Sequence, residues 1–212
     1  FAGLPVRDAE RVVVLWGTDA AGSFDHLPIG PSALPEAAAA LRGVATQVAA
    51  IDYNGAWPWT FRGADGAPLR LRGTLASGRF FETLGVRPVL GRALGPSDDV
   101  VGAPRVLVLS HAAWRARFGG RPDVIRRALV NVQHGAPYTV VGVMPPGLDL
   151  PRGVEFWTAT SPTAAVNGSL ENSPWAVDVV ARLRPGASPE GARQALTTFY
   201  ATLAARGKVP YA

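Results

Sequence analysis

The stretch RVLVLSHAAWRARFGG at residues 105–120 decides the local architecture, because it joins the marks of a strand to those of a helix. Residues 105–109 form an apolar, β-branched run that is typical of a buried strand. Ser110 is a suitable N-cap for a helix on which Trp114 and Phe118 lie one turn apart. Gly119-Gly120 ends that helix. The stretch therefore predicts a strand followed directly by a helix.

Both ends of the chain show the same strand-then-helix order. Near the start, residues 11–16 (RVVVLW) predict a buried strand, and apolar residues at steps of three and four predict a helix from Leu34 to Val48. Near the end, residues 175–183 (WAVDVVARL) predict an alternating strand. A helix follows, with Ser188 as its N-cap and Gly207 as its end. This similarity suggests two related halves around an insertion.

The segment between the two ends is predicted to consist mainly of strands and turns. Leucine and arginine alternate in residues 68–76, which is typical of a strand with one solvated face. Ser77 is a candidate N-cap for a short helix that ends at Gly85. The other predictions are a strand region at 51–61 with an Asn54-Gly55 turn, a loop at 86–99, a hairpin of 127–133 and 137–144 joined by residues 134–136, and a loop at 158–174.

The composition is that of a globular protein. The chain has 212 residues, of which 48% are hydrophobic and 17% are charged, so a disordered tail or linker is excluded. It contains no cysteine, which excludes disulfides and zinc sites built on thiolates. No window of about 18 residues is continuously apolar. Because the sequence starts without Met or a leader, we interpret it as a piece of a longer protein.

The positive net charge does not indicate nucleic-acid binding. The formal net charge is +5, and the basic residues are arginines except for Lys208. These arginines are scattered, and they are not accompanied by interleaved aromatic residues, a recognition helix or a zinc finger. We therefore predict no nucleic-acid partner.

The sequence offers weak candidates for catalysis. Ser110, His111 and Asp98 could assemble into a hydrolase site only if the fold brought them within about 3 Å of one another. Ser110 is better explained as a helix cap, because no nucleophile elbow surrounds it. The histidines lack metal-ligand spacing, and the glycines fit no phosphate-binding loop. We expect a non-enzymatic domain with no metal and no cofactor.

Trp57-Pro58-Trp59 is the candidate interaction surface. Exposed tryptophans are frequent in binding hot spots, so Trp57 and Trp59 would form an aromatic platform for a ligand or partner. The alternative is a hairpin whose tryptophans pack into the core. A ligand-binding module for lipid, peptide or a drug-like molecule would line its pocket with residues 57–61 and the loop at 158–174.

Three stretches in order resemble the MacB-like periplasmic core domain of FtsX-type ABC transporter permeases, especially the duplicated permeases of soil bacteria. Leu4-Pro5 and the segment at residues 8–13 also look like the part of such permeases that follows the first membrane helix. The three stretches are residues 77–94 (SGRFFETLGVRPVLGRAL), residues 106–146 with the blocks LSHAAWRARFGG and PYTVVGVMPP, and residues 180–196 (VARLRPGASPEGARQAL).

This resemblance implies an α+β fold of two parts. A porter-like subdomain of strand–helix units would be formed by both chain ends, residues 1–97 and 161–212. A smaller α+β subdomain, residues 98–160, would be inserted between them.

The resemblance also implies a place and a role. The domain would lie on the periplasmic face of the bacterial inner membrane, between two membrane helices of the full-length protein. It would bind no ATP, and it would couple the ATP-driven motion of the helices to export or mechanotransmission. The implied partners are a second copy of the permease, a cytoplasmic ABC ATPase subunit and a periplasmic adaptor. Arginine-rich surfaces are compatible with nearby anionic lipid headgroups.

Overall fold

The computed structural model describes residues 3–17, 26–52, 55–63, 66–164 and 176–206, in which strands and helices mix along the chain. None of the helices in these ranges is long and apolar enough to cross a bilayer. The strands are β1 (Val12–Leu15), β2 (Ala45–Ile51), β3 (Trp57–Arg62), β4 (Pro68–Ala76), β5 (Leu90–Gly91), β6 (Val106–Leu109), β7 (Ala128–Asn131), β8 (Pro137–Val143), β9 (Phe156–Ala159) and β10 (Asp178–Leu183), and the helices are α1 (Leu34–Ala40), α2 (Phe80–Leu84), α3 (His111–Phe118), α4 (Thr160–Ala164) and α5 (Pro189–Ala205).

Three antiparallel strands form a layer in the order β1-β10-β2. Helices α1 and α5 cover one face of this layer, and their core contacts include Leu41 and Leu196. Helix α2 and the N-terminal segment, residues 3–11, cover the other face, where Phe81 packs in the same cluster as Val180. Because both faces are covered, every residue of β10 is buried.

The remaining long strands close into a six-strand ring. The pairings run from β4 through β3, β7, β8 and β6 to β9, and β9 then pairs in parallel with the second half of β4. The interior is aromatic: Trp59 meets the edges of Tyr138 and Phe156 at centroid distances of 5.9 and 5.5 Å. Strand β4 also pairs with β2 through Ile51 and Ala76, so β4 joins the ring to the layer.

The predicted helix from Leu34 to Val48 is wrong in its second half. Helix α1 ends at Ala40, residues 41–44 form a turn, and β2 begins at Ala45. Val44 and Val48 fit a helical spacing, but Gly43 disfavours a helix and β2 gains a full ladder of hydrogen bonds with β10. Pairing with a distant strand therefore overrides the local periodicity.

Ser77 does not cap α2, which corrects a second prediction. Its Oγ accepts a hydrogen bond from the Ala50 N–H at 2.9 Å, while α2 begins at Phe80 without a side-chain cap. Gly85 ends α2 in the left-handed conformation, as predicted. Ser110 and Ser188 are confirmed as caps, since their Oγ atoms accept from the N–H groups of Ala113 and Gly191.

The α+β class is confirmed, and so is the β7–β8 hairpin. The predicted loop at 86–99 contains the short strand β5, which pairs with β8. The predicted loop at 158–174 is wrong for its described part, because residues 158–164 lie in β9 and α4. Strand β10 does not alternate between a buried and a solvated face. Asn54, residues 165–175 and Gly207 lie outside the described ranges.

The predicted division at residues 98 and 160 stays a prediction. Strands β6 to β9 and helix α3 fall within 98–160, and β3 and β4 of the same ring precede residue 98.

Replacing Gly73 by alanine is expected to destabilise the ring. An added Cβ at Gly73 would lie 2.0 Å from Cζ of Phe156, whose ring is fully buried. Displacing that ring costs about 1–3 kcal/mol of unfolding free energy, measured by urea denaturation. Gly43→Ala is the matched control, because its Cβ would meet nothing within 4 Å. Equal stability of the two variants would contradict the close approach of β4 and β9.

Candidate functional site

The structure separates the two predicted tryptophans. Trp59 is 7% exposed and lies in the ring interior, whereas Trp57 is 48% exposed. The Trp57 indole N–H donates to Oδ2 of Asp52 at 3.1 Å, which fixes the ring at the start of β3. Of the pair, only Trp57 presents an aromatic surface to solvent, and its role in an interaction stays a prediction.

The hydrolase candidates are each held by structural contacts. Ser110 Oγ caps α3, and the His111 ring packs against Trp114 at a centroid distance of 5.3 Å. Asp98 accepts two hydrogen bonds from the Arg92 guanidinium, at 2.6 and 2.8 Å, and one from the Gly95 N–H. These contacts lower the pKa of Asp98 against the opposing effect of burial, which is the largest single influence. The carboxyl group is therefore held as a carboxylate that fixes its own loop.

A shallow groove of about 490 Å³ lies between α1 and α5. Alanine and threonine dominate its lining, and Phe199 is its one aromatic residue. Of the predicted lining residues, those that the structure describes, 57–61 and 158–163, do not contribute to it.

Arg182 joins three parts of the fold. Its Nε donates to the Thr83 carbonyl at the end of α2 at 2.8 Å, and its Nη2 donates to the Arg7 carbonyl at 2.7 Å. The side chain is 6% exposed and extends from β10. In the N-terminal segment, residues 3–11, the Arg7 N–H donates to the Leu84 carbonyl at 3.2 Å. Arg182 thus holds this segment and α2 on the central strand.

The pKa of Arg182 reflects the burial of its guanidinium group and the charges around it. Burial lowers its pKa, Arg7 and Arg11 lower it further, and Asp8 opposes them from 3.8 Å. Its Nη1 has no hydrogen-bond partner in the described part of the chain. Because a guanidinium group does not give up its proton in a protein, the side chain remains a cation although its pKa is lowered. Loss of the hydrogen-bond acceptors of such a buried cation would destabilise the folded protein.

Arg11 adds a second attachment of the same segment. Its Nε and Nη2 donate to the Leu183 carbonyl at 3.1 and 2.7 Å, directly after Arg182 on β10. Strand β1 then begins at Val12 and pairs with β10 over its full length. The N-terminal segment is therefore fixed to β10 by two arginines and a strand ladder.

The C-terminal helix is held on the same layer. The Tyr200 hydroxyl donates to the Leu27 carbonyl at 2.5 Å, and Arg206 forms an ion pair with Glu36 at 2.9 Å. Both described ends of the chain consequently leave from the β1-β10-β2 layer.

A buried acid lies at the other end of β10. Asp178 is 1% exposed, and one of its oxygens is 2.6 Å from Nε2 of His26. Burial raises the pKa of Asp178, and the contact with His26 partly opposes this shift. Its second oxygen has no hydrogen-bond partner among the described residues.

Neither Asp178 nor Arg182 was predicted from the sequence as a functional residue. Asp178 and Arg182 are charged residues within an otherwise apolar strand run, and that was the available signal. The partners of Arg182 are backbone carbonyls, which no side-chain pattern marks.

The comparison with protein families gives the class of this domain. The model of the MacB-like periplasmic core domain matches residues 4–199, which is most of the chain. The chain therefore belongs to the family of MacB-like periplasmic core domains, and it is a periplasmic domain of the MacB-like ABC transporter permease type. A search of curated protein sequences finds no match.

Solved structures share the fold at low sequence identity. The periplasmic region of MacB from Actinobacillus actinomycetemcomitans is 14% identical, with a TM-score of 0.68 over 91% of this chain and 84% of that one. A permease domain from Porphyromonas gingivalis is 19% identical, with a TM-score of 0.61 over 91% and 81%. The extracellular domain of the ABC-type transporter YknZ from Gram-positive bacteria is 13% identical, with a TM-score of 0.59 over 87% and 88%. These likenesses establish a common fold.

Arg182→Leu is expected to loosen the N-terminal segment. The variant leaves the carbonyls of Thr83 and Arg7 without their charged donor, which costs about 3 kcal/mol of unfolding free energy. Amide hydrogen exchange at Arg7 should accelerate, because its bond to Leu84 loses support. Arg184→Leu is the control directly after β10, since its side chain is exposed and its hydrogen bonds to described residues go to the Arg42 carbonyl, at 3.1 and 3.3 Å. Similar losses in both variants would show that Arg182 is not the anchor.

The pH dependence of stability should report Asp178. Because burial raises its pKa above the unfolded value of about 3.9, the folded protein binds the proton more tightly. The free energy of unfolding, relative to that of Asp178→Asn, should therefore fall as the pH rises from about 4 through the folded pKa. Urea denaturation of both proteins between about pH 4 and 6 measures this difference. A difference that rises with pH would refute the assignment.

Proposed function

We propose that this domain transmits ATP-driven motion of membrane helices to the periplasm, and that it does so without catalysing a reaction. The observation that carries the proposal is the anchorage of the N-terminal segment by Arg182. In a permease, that segment follows the first membrane helix, so a movement of the helix would pull directly on β10. Strand β10 is buried on both faces, and it therefore cannot move without the layer.

The two ends of the chain support the same proposal. The N-terminal segment continues into β1, which pairs with β10, and α5 packs on the same layer, so displacement of either membrane helix would act on the same three strands. The six-strand ring is joined to this layer through β4. The ring would then follow the layer and carry the motion away from the membrane.

The proposed assembly follows from the family. The domain would be located on the periplasmic face of the inner membrane, anchored by helices of the full-length protein. A second copy of the permease and a cytoplasmic ABC ATPase would complete the machine, with a periplasmic adaptor as a further partner. Residues 1–97 with 161–212 would form the porter-like subdomain, and residues 98–160 the inserted one.

The ligand-binding alternative rests on the groove between α1 and α5. Its small lining residues and its open shape suit a packing partner better than an enclosed ligand. Trp59 and Phe61, which were expected to line a pocket, are buried in the ring.

The first step of the test is location, and this domain itself contains no cysteine that would compete for the label. Ala116 and Ala113 share helix α3, but Ala116 is exposed and Ala113 is 2% exposed. In spheroplasts that contain the full-length permease, a membrane-impermeant maleimide should label Ala116→Cys and not Ala113→Cys. Labelling of Ala116→Cys only after the membrane is permeabilised would place the domain in the cytoplasm and refute the proposal.

The second step is coupling. With a spin label at Ala116→Cys on each of two paired permease copies, the distance between labels should change when ATP is added with the ATPase subunit. Arg182→Leu and Arg182→Lys should reduce this change while ATP hydrolysis continues, and Arg184→Leu should not. The proposed transmission would be contradicted if ATP did not change the label distance in the native protein. It would also be contradicted if an Arg182 variant responded to ATP like the native protein.

A further inference from the structure

One outer side of the six-strand ring concentrates positive charge. Arg62 on β3 lies opposite Pro68 on β4, and the neighbouring pair on the same side is Thr60 with Arg70. Arg72 follows on β4, opposite Pro58. Because directly opposed residues of antiparallel strands point to the same side of the sheet, the three arginines share one surface. All three are exposed, whereas Phe61 and Leu71 between them are buried.

Exposed valines extend this surface onto β7. Val130 lies opposite Arg62, and the Val132 N–H donates to the Thr60 carbonyl at 2.9 Å. The two side chains are 42% and 44% exposed. We call the surface formed by Arg62, Arg70, Arg72, Val130 and Val132 the basic face.

The charge of the basic face is not neutralised within the described residues. The three guanidinium groups have no ion-pair partner there, and the outward positions of β3, β4, β7 and β8 carry no Asp or Glu. Glu155, which contacts the backbone of β4, is already engaged: one oxygen accepts from Arg117 at 2.9 Å and the other from the Arg72 backbone N–H at 2.8 Å. Asp65, in the β3–β4 connection, lies outside the described ranges.

An unpaired cluster of this kind is unfavourable for the isolated domain. Arg62 and Arg70 are diagonal neighbours on adjacent strands, which places their Cβ atoms about 7–8 Å apart. Guanidinium groups on side chains that start so close together repel one another, because salt at 0.1 M screens charges only beyond about 10 Å. Some of the other exposed arginines pair with acids, as Arg79 does with Glu82, Arg121 with Asp123 and Arg193 with Glu190.

We propose that the basic face docks an acidic segment of a protein partner. Carboxylates of the partner would pair with the guanidinium groups, and its apolar side chains would cover Val130 and Val132. Strands β3 and β7 pair on both sides within the ring, so recognition uses side chains and not strand addition.

A protein is favoured over a membrane as the partner, and this one step rests on the proposed function. If both chain ends enter the membrane from the β1-β10-β2 layer, then β3 and β7 belong to the part that is not attached there. Charge complementarity itself does not depend on that placement.

The test uses poly-L-glutamate as the acidic probe and the folded domain. Two triple variants remove the same charge: Arg62→Gln/Arg70→Gln/Arg72→Gln changes the basic face, and Arg79→Gln/Arg121→Gln/Arg193→Gln is the control. Probe affinity at low salt should fall about tenfold in the first variant and less than about twofold in the second. In the native protein, the probe should shift the methyl resonances of Val130 and Val132. The methyl resonances of Val100 and Val101, which are exposed elsewhere, should not move.

Three results would overturn the proposal. Equal loss of affinity in both triple variants would show that net charge alone attracts the probe. Arginine-dependent binding to phosphatidylglycerol vesicles, without binding to poly-L-glutamate, would identify a membrane surface. A lower unfolding free energy of the Arg62→Gln/Arg70→Gln/Arg72→Gln variant would show that these arginines stabilise the fold. None of these results affects the labelling and distance measurements on the permease, so the two proposals fail separately.

Discussion

The burial of β10 on both faces is the constraint on which the rest of the structure depends. The strand pairs with β1 on one side and β2 on the other, and helices close both faces of the layer. A charged side chain on such a strand must find its partners inside the protein. Arg182 finds them in two carbonyls, one from α2 and one from the N-terminal segment. The N-terminal segment is thus held on β10 by the hydrogen bonds of this guanidinium group, together with Arg11 and the ladder between β1 and β10.

The structure also depends on strand β4, because β4 belongs both to the six-strand ring and to the sheet that contains the β1-β10-β2 layer. It meets β2 at Ala76, and it starts and completes the six-strand ring through β3 and β9. The close contact between β4 and β9 requires a residue without a side chain, and Gly73 lies where the Phe156 ring would otherwise collide. Both the packing of the ring and its attachment to the layer therefore depend on β4.

Local signals predicted local structure well. The caps at Ser110 and Ser188 and the helix end at Gly85 follow from chemistry within a few residues, and the family resemblance supplied the α+β class. The end of α1 was missed, because Val44 and Val48 keep a helical spacing and only the distant partner β10 selects a strand. The anchor at Arg182 was missed for a similar reason: its acceptors are backbone atoms brought together by the fold. Trp57 and Trp59 are close in sequence but differ in exposure, since one lies at the strand end and the other inside the ring.

The pairing of β1 with β10 also determines when the domain can fold during synthesis. Arg11 and the Leu183 carbonyl that it binds are 172 residues apart in the chain. During synthesis and export, β1 emerges long before β10, so the first strand cannot form its ladder with β10 until the end of the chain follows. The layer closes only after nearly the whole domain has emerged, because α5 follows β10 and covers it. The layer therefore assembles late, and its assembly costs the conformational entropy of closing a very long loop. A chain that ends before β10 cannot form this layer.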